Sequence, residues 1–268
     1  MARQFGEQAG HGELVAWSFE IAAYFALVEG RYGDTVTLSE AGMERAGTTN
    51  AAVQLALQAA RGYARMGDSQ AREALAAGHV VLGRLPVPEH PDHHFVFDRG
   101  KYEFYVATIL TCLGDDSAAR EHAEEVVRQC KASGGWPMRL CMTLVDLGVL
   151  AARAGDLDEA VSHGIAALRL PRRSAQLLPR AVELRHELAA RYPGERLAAR
   201  YSDVLAEHAD APAALPRRLQ RRVNLHHSPQ PAPRGRYVAS PARCRPGARR
   251  AGGRRQDLPP AMAQRCKR

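Results

Sequence analysis

CMTLVDLGVLAARAGDLDEAVSHGIAALRLPRRS, running from Cys141 to Ser174, holds two apolar helical stretches around one turn. Leu144, Leu147, Gly148 and Ala151 fall on one face of the first stretch, and Ala160 and Ala167 supply small positions in the second. Gly155-Asp156-Leu157 makes the turn. Glycine takes a left-handed conformation without steric cost and so ends the first helix. Asp156 then accepts the free N–H groups that open the second. Gly148 and Ala160 are expected where the two helices cross, because a larger side chain there would push them apart.

Working outward, the same turn recurs three times. Gly114-Asp115 separates GKYEFYVATILTCL from SAAREHAEEVVRQC, with Ala107 and Ala119 at the small positions. Gly67-Asp68 separates AAVQLALQAARGYARM from SQAREALAAGHVVL, with Ala60 and Tyr63 in register. Gly30-Arg31-Tyr32 divides the loosest copy. The unit length and the W-x2-L-G-x2-Y spacing are those of the tetratricopeptide repeat. The expectation is an all-α fold: a tetratricopeptide-type α-solenoid of antiparallel helix pairs, with repeats at about 16–50, 53–84, 100–133 and 141–174. A hairpin over 174–208 would cover the last repeat, as the ends of such arrays require. Pro179 is expected in the first turn of its helix or at a kink. Residues 1–11 and 209–268 read as disordered, leaving 12–208 as the folded domain.

Composition agrees with helices and points to a divided chain. The 268 residues are 46% hydrophobic but only 6% aromatic, and runs of alternating β-branched residues are missing. The formal net charge of +8 conceals two halves. Residues 1–211 carry 22 Lys+Arg against 28 Asp+Glu, and residues 212–268 carry 15 against one, Asp257. Nine of the 16 prolines also fall after Ala211. Such a segment buries too little apolar surface to offset its ordering entropy. The five cysteines form no C-x-x-C pair. No secretory h-region and no membrane-length apolar run are present, so the expected compartment is the cytoplasm.

Leu85–Asp98, LPVPEHPDHHFVFD, breaks the helical period between the second and third repeats. Phe97 before Asp98, with Tyr102 beyond, reads as a hydrophobic staple around an N-cap. Glu89, His90, Asp92, His93 and His94 are zinc-ligand types, and His90, His93 and His94 are the weak metal candidates. Structural zinc sites draw spaced pairs from two elements, whereas His93 and His94 are adjacent. The loop is therefore read as a surface crossing that packs through Phe95 and Phe97, with neither metal nor cofactor expected.

Catalytic signatures are missing: there is no G-x-S-x-G, no phosphate loop, no G-x-G-x2-G and no H-E-x2-H. His122, His163 and His186 each lie on a helix without a nucleophile motif nearby, and Arg185-His186-Glu187 reads as a solvated face. A non-enzymatic binding module is the leading expectation. Trp17, Tyr24, Tyr63, Tyr102 and Tyr105 are candidates to line its groove, with burial between helices as the alternative for each. The occupant would be a protein or peptide, or a small-molecule effector, with self-association into a homodimer as a further option and no membrane partner. A nucleic-acid-associating protein that binds through its basic tail is the second reading, and a metal-dependent enzyme built on the histidine loop is the third.

The segments GHGELVAWSFEIAAYFALVEGRY, AVQLALQAARGYARMGD, HHFVFDRGKYEFYVATIL, PMRLCMTLVDLGVLAARAGDLDEAVSHGIAAL and ELRHELAARYPGE resemble the C-terminal region of a group of actinobacterial transcriptional regulators. Those proteins join an N-terminal helix-turn-helix domain of the Cro/C1 (XRE) type to a tetratricopeptide-like body. The resemblance spans about residues 10–208, and HHFVFD-x2-KY-x-FY is its most specific part. Only ten residues precede His11, so the resemblance implies the sensing half of a regulator without its DNA reader. The tail after Ala211 has no counterpart in the pattern. Its Arg217, Arg218, Arg221, Arg222, Arg249, Arg250, Arg254 and Arg255 would draw phosphate backbones through counterion release, without sequence preference. An inert tail, or GC-rich codons read out of frame, would give the same composition.

Overall fold

Alanine-rich stretches divided by glycine turns fold, among the described residues, into eleven helices and no strand. The computed structural model describes residues 2–90, 93, 95–171 and 176–210. Met1–Ala214 forms one unit, and the second, Leu215–Arg268, lies outside the described residues. The helices are α1 (Ala2–Gln8), α2 (Gly12–Val28), α3 (Tyr32–Ala46), α4 (Asn50–Arg65), α5 (Gln70–Leu82), α6 (Arg99–Leu113), α7 (Asp116–Ser133), α8 (Pro137–Ala154), α9 (Leu157–Arg169), α10 (Leu177–Arg191) and α11 (Arg196–Asp210).

From α2 onward each even-numbered helix packs on the odd one that follows, and α2, α4, α6, α8 and α10 also touch in succession. Small side chains make that approach possible. Ala60, Ala107, Ala119, Ala160 and Ala167 are all fully buried. A Cβ added at Gly148 would stand 2.8 Å from Leu184 Cδ2 and 3.1 Å from the Ala160 carbonyl oxygen, which places α8, α9 and α10 against one another at that point. Gly155 ends α8 with φ 93°, its N–H turned back to the Ala151 and Ala152 carbonyls. Asp156 opens α9 by accepting from the Glu159 N–H at 2.8 Å. Pro179 is the third residue of α10, where its missing N–H leaves no hydrogen bond unmade. Larger residues fill what remains: Tyr201, Leu55, Leu57, Ile109, Met142, Leu177 and Leu184 are almost wholly inside.

One segment departs from the sequence reading. Residues 1–11 are expected without structure, yet Ala2–Gln8 is helical and packs on α2. Gly6 lets the backbones approach, because a Cβ there would stand 2.9 Å from Val15 Cγ2. The Arg3 guanidinium lies 5.4 Å from the centre of the Phe19 ring. The crossing between α5 and α6 packs through Phe95 and Phe97, the two rings named in the sequence reading. Phe97 is 2% exposed, and its N–H donates to Asn50 Oδ1 at 2.8 Å. Asp98 caps α6 through the Lys101 N–H, while Arg139 of α8 donates to both its oxygens at 3.0 and 2.6 Å. Phe95 meets the edge of Trp17 at 5.2 Å. The ring that Phe97 meets is Tyr105, 6.0 Å away, one helical turn beyond the tyrosine of the expected staple. No helix among the described residues is long and apolar enough to cross a membrane.

Candidate functional site

Helix α4, NAAVQLALQAARGYAR, places its polar side chains at Gln54, Gln58, Arg61 and Arg65, a single stripe at helical spacing. On a surface helix that stripe would face water. Here α4 packs against α2, α3, α5 and α6, and Gln54, Gln58 and Arg61 are buried. Burial requires partners for each polar group. Gln54 and Gln58 donate to Glu20 Oε1 of α2 at 2.9 and 3.1 Å. The Gln58 carbonyl oxygen accepts from Arg61 at 3.2 Å, so one amide links the Glu20 carboxylate to the Arg61 guanidinium. Arg61 also donates to Gln176 Oε1 at 3.2 Å and lies 5.1 Å from the Tyr105 ring centre, while the Tyr105 hydroxyl accepts from Gln54.

A second set of charges adjoins the first. Asp146 of α8 has no exposed surface; it accepts from the Thr108 hydroxyl at 2.7 Å and pairs with Arg180 of α10. Arg180 also pairs with Glu183, and Glu183 with Arg65, so α4, α8 and α10 are bound by one chain of charges. Further along, Arg153 donates to the Thr111 carbonyl at 2.8 Å, to Asp116 at 3.0 Å and to Glu187 at 3.0 Å. Glu187, read from sequence as part of a solvated face, is therefore half-buried in an ion pair, while Arg185 and His186 beside it are exposed.

Burial and pairing compete differently at each arginine. Desolvation works against the charged form of Arg180, but the Asp146 carboxylate outweighs it and the proton is held more tightly than usual. Arg61 has no such neighbour. Burial lowers its proton affinity, and Arg65 and Arg180 lower it further. Arg65 is lowered by burial first and then by Arg180. All remain charged near neutrality, since guanidinium ionises far above that range.

These side chains open into two adjoining cavities. The larger, about 490 Å³, is bounded by Arg65, Cys112, Arg153, Arg180, Glu183 and Glu187 among others. The smaller, about 240 Å³, lies between Leu27, Val28 and Tyr32 on one side and Arg61, Met142 and Gln176 on the other. Arg65, Arg180 and Glu183 belong to both walls. Fixed donors that keep their protons suit such a place to binding and orienting a ligand rather than to moving protons.

The residues singled out from sequence lie elsewhere. Trp17 is buried among Ala16, Ala46, Ala51 and Leu55, and Tyr105 is buried beneath Arg61. Tyr63 donates to Glu40 of α3 at 2.7 Å, Tyr102 lies against the His79 ring of α5, and Tyr24 against Phe25. None of the five borders either cavity, where Tyr32 is the aromatic present. His90 and His93 are exposed, with the His93 ring 5.8 Å from that of Phe95; His94 lies outside the described residues. Among the described residues no three His, Cys, Asp or Glu side chains gather as metal ligands would. Arg217, Arg218, Arg221, Arg222, Arg249, Arg250, Arg254 and Arg255 lie outside the described residues as well. The buried stripe of α4 was the signal in the sequence: Gln54, Gln58, Arg61 and Arg65 at helical spacing in a helix otherwise mostly of Ala, Val and Leu. Comparison with protein-family models, curated proteins and solved structures returned no match.

Proposed function

We propose that the chain is a tetratricopeptide-type α-solenoid that binds a partner or effector in the furrow bordered by α2, α4, α8 and α10, and serves as the sensing module of a transcriptional regulator rather than as an enzyme. The observation that carries this reading is the pair of adjoining cavities between successively packed even-numbered helices, walled by charged side chains that are already held in place. Preorganised polar groups recognise a ligand at low ordering cost. Repetition of a Gly turn and buried alanines in consecutive helix pairs supports the repeat assignment. The regulator assignment rests on the sequence resemblance over residues 10–208.

Two measurements test it. The first is the intact mass of the protein isolated from its own cells. A mass above 29.3 kDa, with added N-terminal residues forming a helix-turn-helix, supports the regulator reading, and a mass at that value supports a stand-alone module. The second is a pull-down with the full chain and a Glu183→Lys variant. Partners that bind in the furrow are lost from the variant, whereas partners retained by it bind elsewhere.

A further inference from the structure

The charges around the shared wall do not balance. Arg61, Arg65 and Arg180 approach closely enough to depress or oppose one another's ionisation. The carboxylates paired within this group are Asp146 and Glu183. Glu20 stands one glutamine away from Arg61, and its field also reaches Lys101 on α6. Among the described residues no carboxylate pairs with Arg61; its hydrogen bonds go to two amide oxygens, and its face lies on Tyr105. An unused donor sits beside it. Arg180 is 4% exposed, yet its Nε has no hydrogen-bond partner among the described residues, with the Cys112 thiol adjoining the guanidinium. A buried donor left unmade is costly, and an uncompensated buried cation more so. Arg61 and Arg180 both belong to the wall of the smaller cavity.

We propose that the smaller cavity receives the singly charged oxyanion of a small ligand, a carboxylate or a phosphate, seated on Arg61 between Arg65 and Arg180. Glu29 of the same wall is paired with Arg31, so an anion there joins Asp146 and Glu183 as the third negative charge against the three guanidinium groups, whose planar donors suit oxyanion contacts. The rest of the ligand lies against Leu27, Val28 and Met142, which give the cavity its apolar side. Its volume of about 240 Å³ is that of roughly eight water molecules, so the body of the ligand is small unless it extends past Arg65 into the neighbouring 490 Å³. This deepens the sensing role proposed above and rests on it only for biological meaning. A chain that binds the anion but no protein keeps the site and loses the partner, and the reverse outcome is equally distinguishable.

The test uses the full chain at constant ionic strength, with thermal unfolding and calorimetry against hexanoate, benzoate, inorganic phosphate and hexanamide. Saturable binding of an anion with a rise in Tm, and no effect of the uncharged hexanamide, is the expected result. Hexanoate or benzoate acting alone assigns a carboxylate with an apolar body, and phosphate acting alone assigns a phosphate head. Arg61→Gln is expected to weaken binding by at least ~30-fold, while Arg61→Lys keeps part of it. Circular dichroism of both variants verifies that they fold; if neither folds, Met142→Trp, which fills the apolar side, is expected to abolish binding instead. Equal effects of hexanamide and hexanoate, unchanged affinity in a folded Arg61→Gln protein, or no response to any anion up to 50-fold the protein concentration and then to ~50 mM, would overturn the assignment.

Discussion

Asp98 and Arg139 meet in a two-point ion pair between the start of α6 and the start of α8, with side chains only 10% and 11% exposed. The same carboxylate caps α6, and the Trp136 ring covers Arg139 at 4.6 Å. One residue of the connecting loop thus ties α6 to α8. Removing it leaves a buried guanidinium without a counter-charge. Asp98→Ala is expected to lower unfolding free energy by about 3–5 kcal/mol, more than the ~1 kcal/mol of a lost cap alone. Urea unfolding of Asp98→Ala, Arg139→Met and the double variant measures this. The double variant should cost less than the sum of the two, since each change removes the same interaction. Additive effects would mean that the pair contributes nothing beyond its separate members.

Close approach at Gly148 gives a sharper contrast. Alanine is favoured over glycine inside a helix by roughly 0.5–1 kcal/mol, and at exposed Gly33, where an added Cβ meets nothing within 4 Å, a gain of that sign is expected. At Gly148 the same methyl would press on Leu184 and on the Ala160 carbonyl, and the backbone oxygen cannot swing away. Gly148→Ala is therefore expected to destabilise by about 1–3 kcal/mol. Paired thermal melts of the two variants decide it; a stabilised Gly148→Ala protein would show that α8 and α9 do not need this spacing.

The features legible in the sequence were those written in local chemistry. Gly155 and Asp156 announce a turn because left-handed backbone and N-capping each select a residue type, and Asp98 announces the start of α6 in the same way. The buried alanines announce close packing through their size. The furrow was hidden for a physical reason. Gln54, Gln58, Arg61 and Arg65 have the spacing of a solvated face, and only the packing of α2, α3, α5 and α6 around α4, with Glu183 of α10 meeting Arg65, turns that face inward. Helix α1 escaped because a short segment gains its stability from contacts with α2, not from its own propensity. Trp17 and Tyr105 follow the alternative open to each aromatic candidate, burial between helices, because large rings are most stabilised where helices press together.

Lys101 supplies a pH-dependent test of the packing around α6. Burial first, with Arg139 adding, holds its pKa down to about 8, against the opposing pull of Glu20 and Asp98. Below pH 8 the amine is charged in both states and the folded protein bears the desolvation cost. Between about pH 8 and the unfolded value near 10.5, the unfolded chain binds more protons, so stability contributed by this group rises with pH. Lys101→Met is expected to remove that rise. Every other group is shared by the two proteins, so the difference between them isolates Lys101. Urea midpoints at pH 7.5 and 9.5 measure it, and identical slopes in both proteins would place the ammonium in water.

The last prediction concerns the division of charge at Ala211. The segment beyond Ala211 carries 15 Lys+Arg and nine of the 16 prolines, a composition that buries little apolar surface, so it is expected to add charge without adding to the core. A chain ending at Ala211 should keep its helical circular dichroism and melt within about 2 °C of the full chain, a shift worth less than ~1 kcal/mol. Its formal charge changes sign, from +8 to 22 cations against 28 anions, so it should move from cation to anion exchanger at neutral pH. Any affinity of the full chain for duplex DNA should follow the basic segment and fall steeply with salt, with a slope near −0.9 per phosphate neutralised. An acidic body cannot reproduce that slope with general surface charge. Equal DNA binding by the shortened chain would therefore locate a specific basic contact on the helical part, and the furrow arginines would be the first to substitute.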